Sequence, residues 1–135
     1  MPNTSYQQRY FSGLENTVRQ ALAEDIGSGD ISAALVPAQE QAEARVLCRE
    51  TAVICGMPWV NEVFWQIDPG LAVEWLQPDG ARVKAGDEIF IARGNARSLL
   101  TAERTALNFL QTLSSVATAA RQYADLVAHT AVQIL

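Results

Sequence analysis

Arg104, Asn108, Gln111, Ser115, Thr118 and Gln122 follow one another at intervals of four and three residues. On an α-helix that spacing places them on one face, a stripe of amides and hydroxyls headed by one cation. A solvated helix face ordinarily mixes Lys and Glu pairs instead. A guanidinium leading a neutral hydrogen-bonding row can offer its planar fork to a carboxylate while the amides and hydroxyls line the wall around it. The commoner role of such an arginine is to cap a surface or to pair with a carboxylate, here Glu103 or another. Spacing alone leaves both readings open.

Other residues able to do chemistry are fewer. Glu24, Asp25 and Asp30 could gather around a magnesium ion, although acidic loop residues are ordinarily only solvated. Gly27-Ser28-Gly29-Asp30 suggests a phosphate cradle but lacks the GxxxxGK[ST] frame and follows no clear strand, so it reads as a connecting loop. Cys48 and Cys55 lie in apolar, strand-like surroundings and read as core thiols rather than a disulfide. His129 is the sole histidine, and no CxxC or HxxxH spacing exists, so no metal site is expected. Arg49-Glu50 reads as a turn ion pair, worth little if exposed.

The element carrying the stripe runs from Asn95 to Thr130, as one long helix or two in tandem, with Asn95 as its N-cap. Its apolar positions, Ala106, Phe109, Leu110, Leu113, Val116, Ala117, Ala120, Tyr123, Ala124 and Val127, predict a buried face. Before it, Leu14, Val18, Ala21 and Leu22 predict a short helix to Glu24, ended by Gly27 and Gly29. Ala44 to Cys48 and Ala52 to Cys55 predict strands. Pro58 to Gln66 predicts a helix with Pro58 at its start and Val60, Val63 and Phe64 inward. Val73 to Leu76 alternates towards the Gln77-Pro78-Asp79-Gly80 turn, and Ala81 to Ala92 reads as strand, tight turn, strand. That last stretch resembles a half-repeat of biotinyl and lipoyl carrier domains. Lys84 lacks the flanking Met or Asp-Lys-Ala context of a modified lysine, so the likeness is one of β-sandwich geometry. Ala131-Val132-Gln133-Ile134-Leu135 is strand-like and apolar, an unpaired edge that invites association.

Glu103-Arg104-Thr105-Ala106-Leu107-Asn108-Phe109-Leu110-Gln111, with Thr112-Leu113-Ser114 and Val116-Ala117-Thr118 after it, resembles the signature of the quinolinate phosphoribosyltransferases, the decarboxylating enzymes of de novo NAD synthesis. The resemblance extends back through Glu24-Asp25-Ile26-Gly27-Ser28-Gly29-Asp30-Ile31, Arg49-Glu50 and Cys55-Gly56, and so covers almost the whole chain. Ser115 departs from it, since the family usually has Gly there. The resemblance implies an α+β fold: an N-terminal α/β sandwich domain over residues 1–100, then a linking helix and the first strand of an α/β barrel over 101–135, with the rest of the barrel absent. It also implies a homodimer in which Arg104 reaches across to bind quinolinate in the partner's barrel, with Thr105 and Asn108 supporting. No catalytic residue is assigned to this stretch. Phosphoribosyl pyrophosphate is the implied second substrate, its magnesium held by residues outside this chain. Two alternatives stand beside this reading: a non-catalytic dimerisation module, and a relative of the same architecture such as a nicotinate phosphoribosyltransferase or a molybdenum-transport-associated homologue.

With 135 residues and 49% hydrophobic content, the chain suits one globular domain with a real core. Fifteen Asp and Glu against ten Lys and Arg argue against a nucleic-acid surface. A phosphate-rich substrate therefore needs a local basic pocket. No apolar run approaches the roughly 18 residues of a membrane span, and the N-terminus lacks a signal peptide's charged start and apolar centre. A cytoplasmic protein is expected.

Overall fold

The computed structural model describes residues 11–26 and 31–134. The Gly27 to Asp30 loop, and with it the possible magnesium ligand Asp30, lies outside the described residues. In chain order the elements are α1 (Leu14–Ile26), α2 (Ile31–Ala34), β1 (Gln41–Leu47), β2 (Ala52–Val53), α3 (Met57–Ile67), β3 (Ala72–Trp75), β4 (Arg82–Val83), β5 (Glu88–Asn95) and α4 (Ala96–Leu126). This is the expected α+β architecture, with open sheets and no closed barrel among the described residues.

The sheet has β5 at its centre, antiparallel to β1 on one side and β3 on the other. β4 does not form a hairpin with β5, despite lying one tight turn before it. It pairs instead with β2 in a separate two-stranded sheet. Phe90 and Ala92 of β5 point into a core shared with Val18 and Leu22 of α1, Val60, Val63 and Phe64 of α3, and Leu99, Ala102, Ala106 and Leu110 of α4. Phe90 is the hub, with Phe64 edge-on at 6.0 Å and Trp75 tilted at 4.8 Å. Such pairs add about 0.5–1.5 kcal/mol beyond area burial.

The opposite sheet face is charged. Arg45 bonds Glu43 and Glu88, and Arg93 bonds Glu43 and Glu74. Between Arg45 and Glu74 in register sits Ile91, which is buried. The Arg93 guanidinium, assisted by Arg45, holds the Glu43 carboxyl below its ordinary value of 4.5. A depressed carboxylate stabilises the fold above its unfolded pKa and loses that contribution as pH falls through its folded pKa. The urea midpoint of the wild type is therefore expected to drop as pH is taken below the ordinary carboxylate range. Glu43→Gln is expected to flatten part of that slope, and identical slopes for the two proteins would refute the assignment.

Helix α4 starts where Asn95 suggests. Its Oδ1 accepts from the Ser98 N–H at 3.1 Å, and its Nδ2 donates to the Ala38 carbonyl at 2.7 Å. Arg97 donates to the Val36 and Ala34 carbonyls, which fixes the segment before β1 against the first turn. The first five turns bury Ala96, Leu99, Ala102, Thr105, Ala106, Leu110 and Ser114. Beyond Ser114 the expected buried face fails: Val116 is 64% exposed and Tyr123 63%. The reason is length. A helix of 31 residues spans roughly 46 Å, and the sheet and α3 cover only its first part.

At that point α4 takes on a different task. The Ser114 hydroxyl accepts from the Cys55 N–H at 3.0 Å and donates to the Cys55 carbonyl at 3.2 Å. The Thr118 hydroxyl accepts from the Val53 N–H at 2.9 Å and donates to the Ser114 carbonyl at 2.6 Å. Four helical residues rise about 6.0 Å and two strand residues about 6.6 Å, so hydroxyls spaced i, i+4 match alternate amides of an extended strand. Ser114→Ala is expected to lower the unfolding free energy by about 1–3 kcal/mol, because it leaves both polar groups of Cys55 without their partner. A loss below the error of a urea titration would show that water replaces the hydroxyl.

Residues 131–134 form no strand, a correction to the reading of Ala131 to Leu135. An apolar extended run becomes a strand only beside a neighbour that supplies the ladder, and no described residue does so. Leu135 itself lies outside the described residues.

Candidate functional site

Three residues singled out from the sequence sit on the third and fourth turns of α4, and the helix divides them. Arg104 and Asn108 are exposed, one turn apart on the same side. Thr105 is 1% exposed and points the other way, donating to the Asp25 carboxylate at 2.5 Å. This bond ties the last turn of α1 to α4 directly behind Arg104. Asp25 is therefore engaged with a hydroxyl, and no described group of three or more His, Cys, Asp or Glu residues is placed to hold a metal ion.

Arg104 has no hydrogen-bond or ion-pair partner among the described residues, Glu103 included. Most other arginines are engaged. Arg19 bonds Glu15, Arg82 and Arg121 bond Asp125, Arg45 and Arg93 join the sheet network, and Arg97 holds carbonyls. Among the described cations only Arg49, Lys84 and Arg104 have side chains with no described hydrogen bond or ion pair. A guanidinium with a free fork on a well-anchored helix is suited to take an oxyanion from another molecule.

The polar stripe is split along its length. Gln111, Ser115, Thr118 and Gln122 line a groove of about 860 Å³ between α4 and the end of β1 with the turn after it, whereas Arg104 and Asn108 lie outside it. Thr118, read from spacing as part of the outward stripe, is turned to the Val53 amide. Ser115, the departure from the family pattern, is exposed and lines this groove.

Sequence reasoning missed the seam made by Ser114 and Thr118. Its signal was present as two hydroxyls four residues apart, one on the polar stripe and one beside it. It also read Arg49 as paired with Glu50, and the structure shows no such bond among the described residues. The two cysteines are free and half-buried. Burial, and after it the Asp79 carboxylate, push the Cys55 thiol up, which keeps it protonated and a poor nucleophile. His129 is exposed and has no described hydrogen-bond partner. The described residues thus supply binding and positioning groups, without a nucleophile held by a base.

Comparison with known proteins places these features in context. The family described as "Quinolinate phosphoribosyl transferase, N-terminal domain" matches residues 30–114. A chloroplastic nicotinate-nucleotide pyrophosphorylase (carboxylating) from Oryza sativa is 39% identical over 114 residues, covering 83% of this chain and 31% of its own length. A probable nicotinate-nucleotide pyrophosphorylase (carboxylating) from Synechocystis is 40% identical over 115 residues, 85% of this chain and 39% of its own. Among solved structures, the nicotinate-nucleotide pyrophosphorylase of Francisella tularensis superposes with a TM-score of 0.81 at 42% identity, covering 85% of this chain and 41% of that one. The NadC structure from Streptococcus pyogenes gives 0.81 at 32% identity, covering 95% and 44%. The chain therefore spans between about a third and two fifths of the length of the curated relatives it matches.

Proposed function

The chain belongs to the quinolinate phosphoribosyl transferase N-terminal domain family, and on that premise we propose that it supplies the N-terminal part of a quinolinate phosphoribosyltransferase, a pentosyltransferase of NAD synthesis. In this reading residues 1–100 form the sandwich domain and residues 101–135 lead towards a catalytic barrel. The chain by itself is expected to be inactive. A cytoplasmic location and a homodimer belong to the same proposal. Among the described residues no helix is long and apolar enough to cross a membrane.

The reaction joins the pyridine nitrogen of quinolinate to the anomeric carbon of phosphoribosyl pyrophosphate, and pyrophosphate leaves. Ribosylation makes the ring nitrogen cationic. The electron pair of the breaking carbon–carboxylate bond is stabilised by that nitrogen as carbon dioxide departs, and a proton taken up at the same ring carbon gives nicotinate mononucleotide. The substrate supplies the electron sink, so the protein's work is to bind, orient and neutralise. Magnesium accompanies the pyrophosphate of the second substrate.

The observation that carries the reading is the free guanidinium of Arg104 on a helix fixed behind it by Thr105 and Asp25, within a motif matching the family. Arg104 binds a quinolinate carboxylate held by the partner subunit, Asn108 stands one turn along the same side, and Thr105 holds the helix. The test is release of labelled carbon dioxide from carboxyl-labelled quinolinate, dependent on phosphoribosyl pyrophosphate, by an enzyme containing this sequence. Nicotinate consumed without carbon dioxide release would transfer the proposal to a related phosphoribosyltransferase. Dimerisation with no turnover of either pyridine acid would leave the chain an assembly module.

A further inference from the structure

Helix α4 is held in two different ways along its length. As far as Ser114 it is packed by burial, whereas none of residues 115–126 is buried. Ala117 and Ala124 are covered only in part, and Val116, Tyr123 and Leu126 are exposed. The fastening of this distal part is polar, and it converges on one pair of residues. The Thr118 hydroxyl accepts from the Val53 N–H at 2.9 Å, and the Arg82 guanidinium donates to the Asp125 carboxylate at 2.6 Å. Val53 and Arg82 stand directly opposite each other across β2 and β4. Thr118 and Asp125 are seven positions apart, two turns along one helix face. Arg121 is ion-paired to the same carboxylate at 3.3 Å.

The two kinds of fastening answer differently to the solvent. The Arg82 and Asp125 side chains are 57% and 49% exposed, so dissolved salt screens their attraction while the apolar packing before Ser114 stays in place. The junction between the two parts is marked as well. The Thr118 hydroxyl donates to the Ser114 carbonyl at 2.6 Å, and a back-bond to the carbonyl four residues earlier loosens a helix and often bends it. We propose that residues 115–126 form an arm that docks on the β2–β4 pair and undocks from it about this junction, with the Arg82–Asp125 bond setting the docked fraction. Opening leaves the core whole, because Leu99, Ala102, Ala106 and Leu110 all precede the junction. The arm carries Ser115, Ala119 and Gln122, which line the groove opposite the segment from Arg49 to Ala52. Undocking therefore widens the groove, and the ionic surroundings of Asp125 govern access to it. The movement is independent of Arg104 and of the proposed reaction.

The Val53 amide reports the arm directly, because its described acceptor is the Thr118 hydroxyl rather than a strand carbonyl. The neighbouring amides are internal controls: Ile54 is bonded to the Ala81 carbonyl and reports the sheet, and Cys55 is bonded to Ser114 and reports the fixed part of the helix. The test is amide hydrogen exchange of this chain, resolved by residue with NMR at one pH, in about 0.01 M and about 1 M sodium chloride, where the screening length falls from about 30 Å to about 3 Å. Relative to the two controls, Val53 is expected to exchange about two- to fivefold faster at the higher salt, the range for losing an exposed ion pair. Arg82→Gln and Asp125→Asn are each expected to give that acceleration already at low salt and to abolish its salt dependence. Arg82→Lys, which keeps the charge, retains the salt dependence. Wild-type exchange of Ile54 and Cys55 in the variants shows that the fold is intact. Val53 exchanging in step with both controls would mean that no separate arm exists. A rate unmoved by salt or by Arg82→Gln would remove the ion pair as its fastening, and slowing with rising protein concentration would mean that a second copy covers this face. Each of these results overturns the proposal.

Discussion

Replacing Arg104 by Ala in an enzyme containing this sequence is expected to raise the Michaelis constant for quinolinate far more than it lowers turnover. The loss should be about 2–5 kcal/mol, the range for truncating one partner of a buried, hydrogen-bonded charge pair. Even the low end is about 30-fold in kcat/KM. The expectation depends on where the side chain stands. Arg104 is exposed in this chain, with no described internal partner, so its removal breaks no bond among the described residues. The melting temperature should therefore stay at the wild-type value while binding collapses. Arg104→Lys should recover part of the affinity, since it keeps the charge but loses the two-pronged geometry. Steady-state kinetics on the three proteins, with calorimetry alongside, checks this. Unchanged kinetics in Arg104→Ala would remove the residue from the site.

The second large effect is on stability and comes from Gly56→Ala. Gly56 is the N-cap of α3 with φ 123° and ψ 9°, a backbone conformation that L side chains rarely adopt. A Cβ there would meet Leu113 Cδ1 at 3.2 Å and the backbone of Leu110 and Phe109 at 3.6 Å, because α4 passes directly over the start of α3. The backbone approaches are ordinary contact, so the half-buried Leu113 side chain is what must give, by a few tenths of an ångström. Strain and overpacking together should cost about 2–4 kcal/mol, which lowers the melting temperature by roughly 10 °C. Gly80, also at positive φ but with nothing within 4 Å of its Cβ position, is the control. Gly80→Ala should show the conformational penalty alone, and equal losses at the two positions would remove the helix contact from the explanation.

Local signals revealed much of this fold and failed where partners are distant in sequence. The start of α4 was legible because an Asn cap acts within three residues. The α3 helix was legible through Pro58 and its inward Val60, Val63 and Phe64. The partners of β4 were not legible, because a strand followed by a tight turn and another strand looks the same whether or not the two strands pair. Periodicity also said that one side of α4 was apolar without saying how far the covering elements reach. Val116 and Tyr123 therefore read as buried and are exposed. At the candidate site, Arg104 could be singled out because a cation heading an uncharged row is unusual on a solvated helix. That Thr105 faces Asp25 depends on α1 and α4 meeting 80 residues apart in sequence, which no spacing within either helix encodes. Arg49 read as half of an ion pair with its neighbour Glu50. Adjacent charges attract in sequence more readily than in a structure, where the backbone turns their side chains apart.

The seam between α4 and β2 also bears on what the protein can do when crowded. One edge of β2 is bonded to β4, extended by the Ile54 amide to Ala81 and the Gly80 amide to Ile54, and the other edge is occupied by the hydroxyls of α4. A short strand enclosed in this way presents no row of amides for a foreign strand to read. Strand-by-strand growth into a fibril or an exchanged dimer would have to begin at the outer edges of β1 or β3, or at that of β4, which is only two residues long. The first of these carries Glu43 and Arg45 already locked into the sheet's charge network, and the second is only four residues long. Loss of the Ser114 hydroxyl would thus uncover a new templating edge as well as loosen the fold, and a destabilised variant at this position should aggregate sooner than one equally destabilised in the core.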